Sequence, residues 1–154
     1  MVVMSRTQIS VYSQFWEYFL RQGLKTIEII EEEDAWEFRT FPHEYSVKET
    51  FHHTVQAIYE DAGRWFKDEF RKYKSLSNPS KDLTCAVNRM INAFEKFSDE
   101  ELSNEMTFQW GEKTTIAGAI QQNLFHAVGH FSQLRNWVGI SKRRRGKGTR
   151  KDIV

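Results

Sequence analysis

Residues that break helices or cross-link chains are scarce in this sequence, which has one cysteine, two prolines and eight glycines among 154 residues. The single cysteine, Cys85, cannot form an intrachain disulfide, so the fold does not depend on oxidation, as expected in a reducing cytoplasm. No stretch approaches the roughly 18 apolar residues that span a bilayer, and the N-terminus lacks the apolar segment of a signal peptide. We therefore expect a soluble, cytoplasmic protein with no membrane partner.

Charge is distributed unevenly along the chain, although the formal net charge is only +1. Seven of the 22 basic residues but only one of the 21 acidic residues fall in the last fourteen positions, which leaves a net charge of −5 on the rest. Hydrophobic residues make up 40% of the chain, enough for the core of one ordinary domain. The sequence therefore predicts one acidic domain over residues 1–140 and a basic, disordered tail over residues 141–154.

Apolar residues recur at three- and four-residue steps in four long segments, the pattern of amphipathic helices. These segments cover, in approximate bounds, residues 9–30, 46–70, 79–97 and 114–139. Residues 106–110 alternate in the manner of an extended segment. Four such helices can bury their apolar stripes only against one another, so the predicted fold class is all-α: a four-helix bundle with a short extended segment before the last helix.

Local signals mark the ends of these helices. Ser46 followed by Glu49 is a capping box for the second helix. Pro79 suits the first position of the third helix. Thr114 is the expected cap of the fourth helix, and Gly139 its expected end.

Two histidines of the fourth helix form the most informative pattern. His126 and His130 are four residues apart, so a helix of 3.6 residues per turn places them one above the other on a face beside the core stripe. Histidines with this spacing are the usual helical half of a zinc or nickel site. On a half-buried face, however, such a pair is more often structural, and two ligands alone make a weak site. A third ligand from another helix is needed.

Two adjacent histidines of the second helix are candidates for that third ligand. Helical phase does not separate them cleanly, because the apolar arc leaves one histidine on either side. His53 shares its row with Thr50 and Ala57, which would leave space for an ion, whereas His52 shares its row with Tyr59. These neighbours favour His53 slightly and leave His52 as the alternative.

Two segments resemble the DinB-like family, also called the YfiT-like metalloenzymes. Residues 46–53, SVKETFHH, resemble the family's second helix, in which the ligand histidine follows the serine by seven residues; that position is His53. Residues 124–134, LFHAVGHFSQL, resemble its last helix, where two histidines one turn apart precede a glutamine and an aliphatic residue. The resemblance covers roughly residues 5–140. It departs from the family at Gly129, where many members carry a further histidine.

The resemblance implies a DinB/YfiT-type four-helix bundle with one divalent metal ion on His53, His126 and His130. Zinc or nickel is expected, with iron or manganese as alternatives. Three histidines leave at least one coordination position open, which suits catalysis or ligand binding better than a closed structural site. Characterised members are thiol transferases, hydrolases or isomerases acting on small thiol-containing substrates, and the family forms homodimers. No catalytic residue beyond the metal ligands is predicted.

Two other functions remain open. A bundle of this kind could bind metal and a small ligand without turnover, as a stress protein would, and the basic tail could contact nucleic acid through phosphates. No recognition motif accompanies the tail, so nucleic acid is the weakest of the three hypotheses. A second reason to expect a homodimer is that the aromatic residues are more numerous than one small bundle is expected to cover. The residues on which it rests are Trp16, Trp65, Phe66 and Phe70.

Overall fold

Four helices, one 3-10 helix and a two-stranded hairpin form the structure, a computed structural model that describes residues 5–146. In chain order the elements are α1 (Thr7–Glu32), α2 (Val47–Trp65), α3 (Pro79–Phe94), the 3-10 helix (Asp99–Ser103), β1 (Glu105–Thr107), β2 (Lys113–Thr115) and α4 (Ile116–Arg144). The predicted all-α bundle, with an extended segment before the last helix, is confirmed. Within residues 5–146, no helix has the length and hydropathy needed to cross a membrane.

The helices form a bundle in which α1 and α2 occupy opposite corners. Each packs against both α3 and α4. Helices α1 and α4 run parallel, since Gln121 bonds Tyr12 near one end and Arg135 bonds Thr26 further along. At the centre, the Phe131 ring lies 5.1 Å from that of Phe19 and 6.0 Å from that of Phe51, measured between ring centroids. Helix α4 is therefore in contact with both α1 and α2 through one core residue.

Two helices begin as their sequences predict. Ser46 Oγ accepts a hydrogen bond from Glu49 N at 3.1 Å, and the Glu49 carboxylate accepts from Ser46 N at 3.3 Å, which completes the capping box of α2. The Asn78 side chain accepts from Lys81 N at 3.0 Å, with Pro79 in the first position of α3. These ends are determined by residues within one turn.

The first turn of α1 is capped instead by a distant residue. The carboxylate of Asp99, in the 3-10 helix, accepts hydrogen bonds from Gln8 N and Ile9 N, each at 3.0 Å. A negative charge at this position also suits the helix dipole. This cap joins the start of α1 to the connection between α3 and α4.

The predicted continuation of α2 through Phe70 is wrong, because the helix ends at Trp65. Beyond Phe66, whose backbone is extended, the chain turns back across Gly63. A Cβ at Gly63 would lie 2.6 Å from the carbonyl oxygen of Glu69, so only glycine allows this close approach. Periodicity alone could not reveal a crossing between two parts of the chain.

Both predicted ends of α4 are also shifted. The cap is Thr115, whose Oγ1 accepts from Gly118 N at 3.1 Å, while Thr114 pairs with Met106 in the hairpin. At the other end the helix passes Gly139 and continues to Arg144.

Contacts with the rest of the fold accompany the last turn of α4. Ser141 is buried, and Arg144 donates to the carbonyl oxygen of Thr40 at 2.8 Å. Arg145 forms an ion pair with Glu33 at 2.9 Å. The predicted boundary at residue 140 thus falls inside a helix. Whether residues 147–154 form a disordered tail stays a prediction, since they lie outside the described residues.

Candidate metal centre

Three histidines from two facing helices meet in one cluster. His53 lies in the second turn of α2, and His126 and His130 lie in the middle of α4. Each offers a ring nitrogen, and these atoms all lie within 4.8 Å of one another. The ring centroid of His53 is 5.3 Å from that of His126 and 5.1 Å from that of His130. The structure thus brings together the three residues expected from the sequence.

The spacing of the two α4 nitrogens is suitable for one metal ion. His126 Nε2 and His130 Nε2 are 3.1 Å apart. Two nitrogen ligands of a tetrahedral ion, each about 2.0–2.1 Å from the metal, are separated by about 3.3 Å. Only a small adjustment of the rings would place both lone pairs on one ion.

A neighbouring amide determines which nitrogen of His130 is available. His130 Nδ1 lies 3.1 Å from Gln133 Oε1, and an amide oxygen can only accept a hydrogen bond. The Nδ1 atom therefore carries the proton, which leaves the Nε2 lone pair free to bind an ion. Such an outer partner is a regular feature of histidines that bind metals.

The electrostatics of the cluster favour neutral imidazoles. Burial lowers the pKa of His126 to about 4, and the neighbouring His130 and His53 lower it further in the same direction. Burial also lowers the pKa of His53, with His130 as the second cause. Neutral imidazole is the form that binds metals, so neither ring needs to lose a proton at neutral pH. The donor set therefore fits a divalent ion.

One side of the cluster is accessible. His53 is exposed, while His126 and His130 are half-buried. A Cβ added at Gly129, the neighbour of His130, would meet no atom within 4 Å. The exposure of His53 therefore leaves the cluster accessible to a small molecule.

The adjacent histidine, His52, lies outside the cluster. Its Nδ1 is 2.8 Å from the hydroxyl of Tyr73, and its ring packs edge-on against Phe51. Of the two neighbours, His53 and not His52 is a member of the cluster, and its role as a metal ligand stays a prediction. Cys85 is exposed on α3 and takes no part in it.

A buried polar pair between the same two helices was missed by the sequence analysis. Asn123 Nδ2 donates to Asp61 Oδ2 at 2.8 Å, and both residues are buried. Burial raises the pKa of Asp61 to about 6, although the hydrogen bond and charge of Arg64 act in the opposite direction. Asn123 lies one turn before His126, and Asp61 two turns after His53, so the pair continues the same two rows. The positions of Asp61 and Asn123 in these two rows were the only indication of the pair in the sequence.

The fold and the cluster together define a four-helix bundle that carries three convergent histidines on two adjacent helices. Among solved structures, the chain is similar to a crystal structure of a DinB-like protein from Bacillus cereus ATCC 10987, with a TM-score of 0.60. The match has 16% sequence identity and covers 88% of this chain and 91% of that chain. No protein-family model matches the sequence. No curated protein matches it either. The expected DinB-like resemblance is therefore confirmed, as a likeness of fold.

Proposed function

We propose that this protein is a metal-dependent enzyme, a transferase or hydrolase that acts on a small thiol-containing substrate. One divalent ion would be held by His53, His126 and His130, with zinc or nickel favoured and iron or manganese as alternatives. The observation that carries the proposal is the convergence of three ring nitrogens within 4.8 Å of one another.

The residues of the centre have separable roles. The three imidazoles would ligate the ion, Gln133 would orient His130 through Nδ1, and the exposed side at His53 would admit the substrate. When bound, a divalent ion with three histidine ligands supplies Lewis acidity and can lower the pKa of a coordinated water or thiol. The substrate class rests on the DinB-like resemblance and is supported by the likeness of fold.

A metal- and ligand-binding protein without turnover is the second candidate. Within residues 5–146, the group of mutually close ligand atoms consists of three histidines and includes no carboxylate, a common general base beside a metal ion. A stress protein that binds metal and a small ligand would need no such base. Nucleic-acid binding through the basic tail has no support among the described residues, where Arg144 and Arg145 bond Thr40 and Glu33.

The test has two stages. Elemental analysis of protein purified without a polyhistidine tag should find about one divalent ion per chain. The loaded protein is then assayed with low-molecular-weight thiols and an electrophile, with the His126→Ala variant as control. Turnover that requires metal and His126 supports the enzyme. Bound metal without turnover would favour the non-catalytic alternative, and absence of metal would exclude both.

A homodimer is the proposed assembly, on the resemblance alone. Of the four aromatic residues expected to be uncovered, Trp16, Trp65 and Phe66 are buried, and only Phe70 is exposed, so that expectation is wrong for three of them. Light scattering at micromolar concentration should give twice the chain mass of 18.3 kDa. A mass equal to one chain over that range would exclude the dimer.

A further inference from the structure

A groove runs between α1 and α4, on the opposite side of α4 from the α2 helix that supplies His53. Its volume is about 400 Å³, within the range of small-molecule sites. Phe15 and Tyr18 of α1 and Leu124 and Val128 of α4 form its walls, with Phe131 at its base. Apart from one end, the lining is apolar.

The polar end contains a guanidinium in a fixed position. Arg135 Nε donates to Thr26 Oγ1 at 2.8 Å, and Arg135 Nη2 donates to the carbonyl oxygen of Gln22 at 3.2 Å. A guanidinium has five N–H donors, so three remain after these two bonds. The remaining donors belong to a side chain that itself lines the groove.

No carboxylate of the described residues compensates this charge. Within residues 5–146, Arg135 forms no ion pair with an aspartate or glutamate within 4.0 Å. Arg89, which is also half-buried, pairs with Asp68 at 3.4 Å. A half-buried cation is stabilised by an anion, and a carboxylate fits the planar donor arrangement of arginine in particular. The groove thus contains a positive charge, that of Arg135, which an anionic ligand would neutralise.

The mouth of the groove leaves apolar area exposed. Phe15 is 55% exposed, Tyr18 57% and Val128 46%. An apolar body lying between the helices would remove this surface from water, which is favourable in proportion to the area covered. Charge at one end and apolar walls along the rest match a ligand with a polar head and an apolar tail.

We propose that this groove binds a monocarboxylate with an apolar tail, such as a medium-chain fatty acid, with the carboxylate on Arg135 and the tail between α1 and α4. The site is separate from the three-histidine cluster and does not depend on a metal ion. It gives the protein a second ligand, of a different chemical class from the proposed substrate.

The affinity of this site should depend independently on the length of the ligand's carbon chain and on the ligand's charge. Burial of a methylene contributes about 0.8 kcal/mol, so each added carbon should tighten binding by up to about fourfold until the groove is filled. Loss of the charge-assisted bonds to Arg135 should weaken binding at least about tenfold. Octanol, which keeps the tail and lacks the charge, should show a similar loss.

The experiment titrates the full chain with butyrate, hexanoate, octanoate and octanol by calorimetry and by amide NMR. We expect octanoate to bind most tightly and to shift the amide signals of Gln22, Gly23 and Ser132, which line the groove. Arg135→Gln should abolish the preference for octanoate over octanol. Arg135→Lys should restore part of it, and the matched change Arg71→Gln, at an exposed arginine outside the groove, should leave it intact.

Further variants keep the proposal testable if Arg135→Gln fails to fold. Val128→Glu places a repelling carboxylate at the exposed mouth and should weaken octanoate binding while preserving the fold. His130→Ala should leave octanoate binding unchanged, since the carboxylate does not reach the metal centre. Absence of binding, or affinity that is independent of Arg135 and Val128, would overturn the proposal. So would a result in which these variants change only the oligomeric mass, because a second copy of the chain would then occupy the groove.

Discussion

The two sides of α4 differ in what they contribute. The core side carries Leu134, which is fully buried, and Phe131, which packs against Phe19 of α1 and Phe51 of α2. The side toward His53 of α2 carries His126 and His130, which are half-buried and pack their rings against that of His53. One helix therefore supplies the core on one side and the candidate centre on the other. Substitutions on the first side should change stability, and those on the second should change metal binding.

The largest effect is expected on the core side. Phe131→Ala should lower the free energy of unfolding by about 3–5 kcal/mol, because it leaves a cavity among α1, α2 and α4. Phe125→Ala, on the same helix but at a residue that is 82% exposed, should change it by less than about 0.5 kcal/mol. Urea denaturation of metal-free protein measures both. Equal losses would mean that α4 is rotated differently in the bundle.

On the α2 side, the expected loss is of metal. His53→Ala, His126→Ala and His130→Ala should each lower affinity by more than the roughly 10–100-fold that loss of an outer partner costs. His52→Ala should keep the ion and lose about 1 kcal/mol of stability, because it removes the bond to Tyr73. Metal content after dialysis and denaturation curves distinguish the two outcomes. If His53→Ala kept the metal and His52→Ala lost it, the ligand would be His52 and the assignment of His53 would be wrong.

Proton competition provides a third way to test the centre. An ordinary imidazole has a pKa of about 6.5, and each proton bound excludes a metal ligand. Because burial lowers the pKa of His126 to about 4 and also lowers that of His53, affinity should be nearly constant at neutral pH. It should fall at a lower pH than free imidazoles would give, as the pH approaches the lowered pKa values and protons compete with the ion. A chelator competition series from pH 8 to 4 measures this, and equal affinity at both ends would contradict a site of three histidines.

A smaller effect is expected from Asp61, the buried carboxylate of the α2 side. Burial raises its folded pKa to about 6, above the ordinary value of 3.8, so the folded state favours the protonated acid. Its contribution to stability is complete below about pH 4 and is lost as the pH rises through about 6, by on the order of 2 kcal/mol. The stability of Asp61→Asn, measured relative to the parent protein, should therefore be higher at pH 8 than at pH 4. Parallel curves for the two metal-free proteins between these pH values would show that Asp61 is not perturbed.

The smallest effects are expected at the end of α4. Deletion of residues 147–154 removes no residue of α4 and none of the three histidines. Metal content should therefore be unchanged, and the free energy of unfolding should stay within about 0.5 kcal/mol of that of the parent protein. Deletion of residues 142–154 also removes the bonds of Arg144 and Arg145 and should cost about 1 kcal/mol. Thermal unfolding of the two truncated chains makes the comparison. Loss of metal in the shorter deletion would show that the final residues support the centre.

The sequence by itself determined what depends on short-range geometry. Helical periodicity predicts the four helices and the alignment of His126 with His130, because 3.6 residues per turn places positions four apart on one face. The capping boxes set helix starts within one turn, as Ser46 and Glu49 show. Spacing alone could not identify the third histidine, since His52 and His53 are adjacent in sequence and lie on either side of the same apolar arc.

Only the tertiary structure decided which residues of different helices meet. It places His53 against α4 and His52 against Tyr73, and it pairs Asp61 with Asn123 in the interior. It also ends α2 where the chain crosses Gly63 and carries α4 past Gly139. Each of these outcomes depends on the rotation and position of a helix against its neighbours. Those are set by the packing of the whole core, which no local pattern of residues encodes.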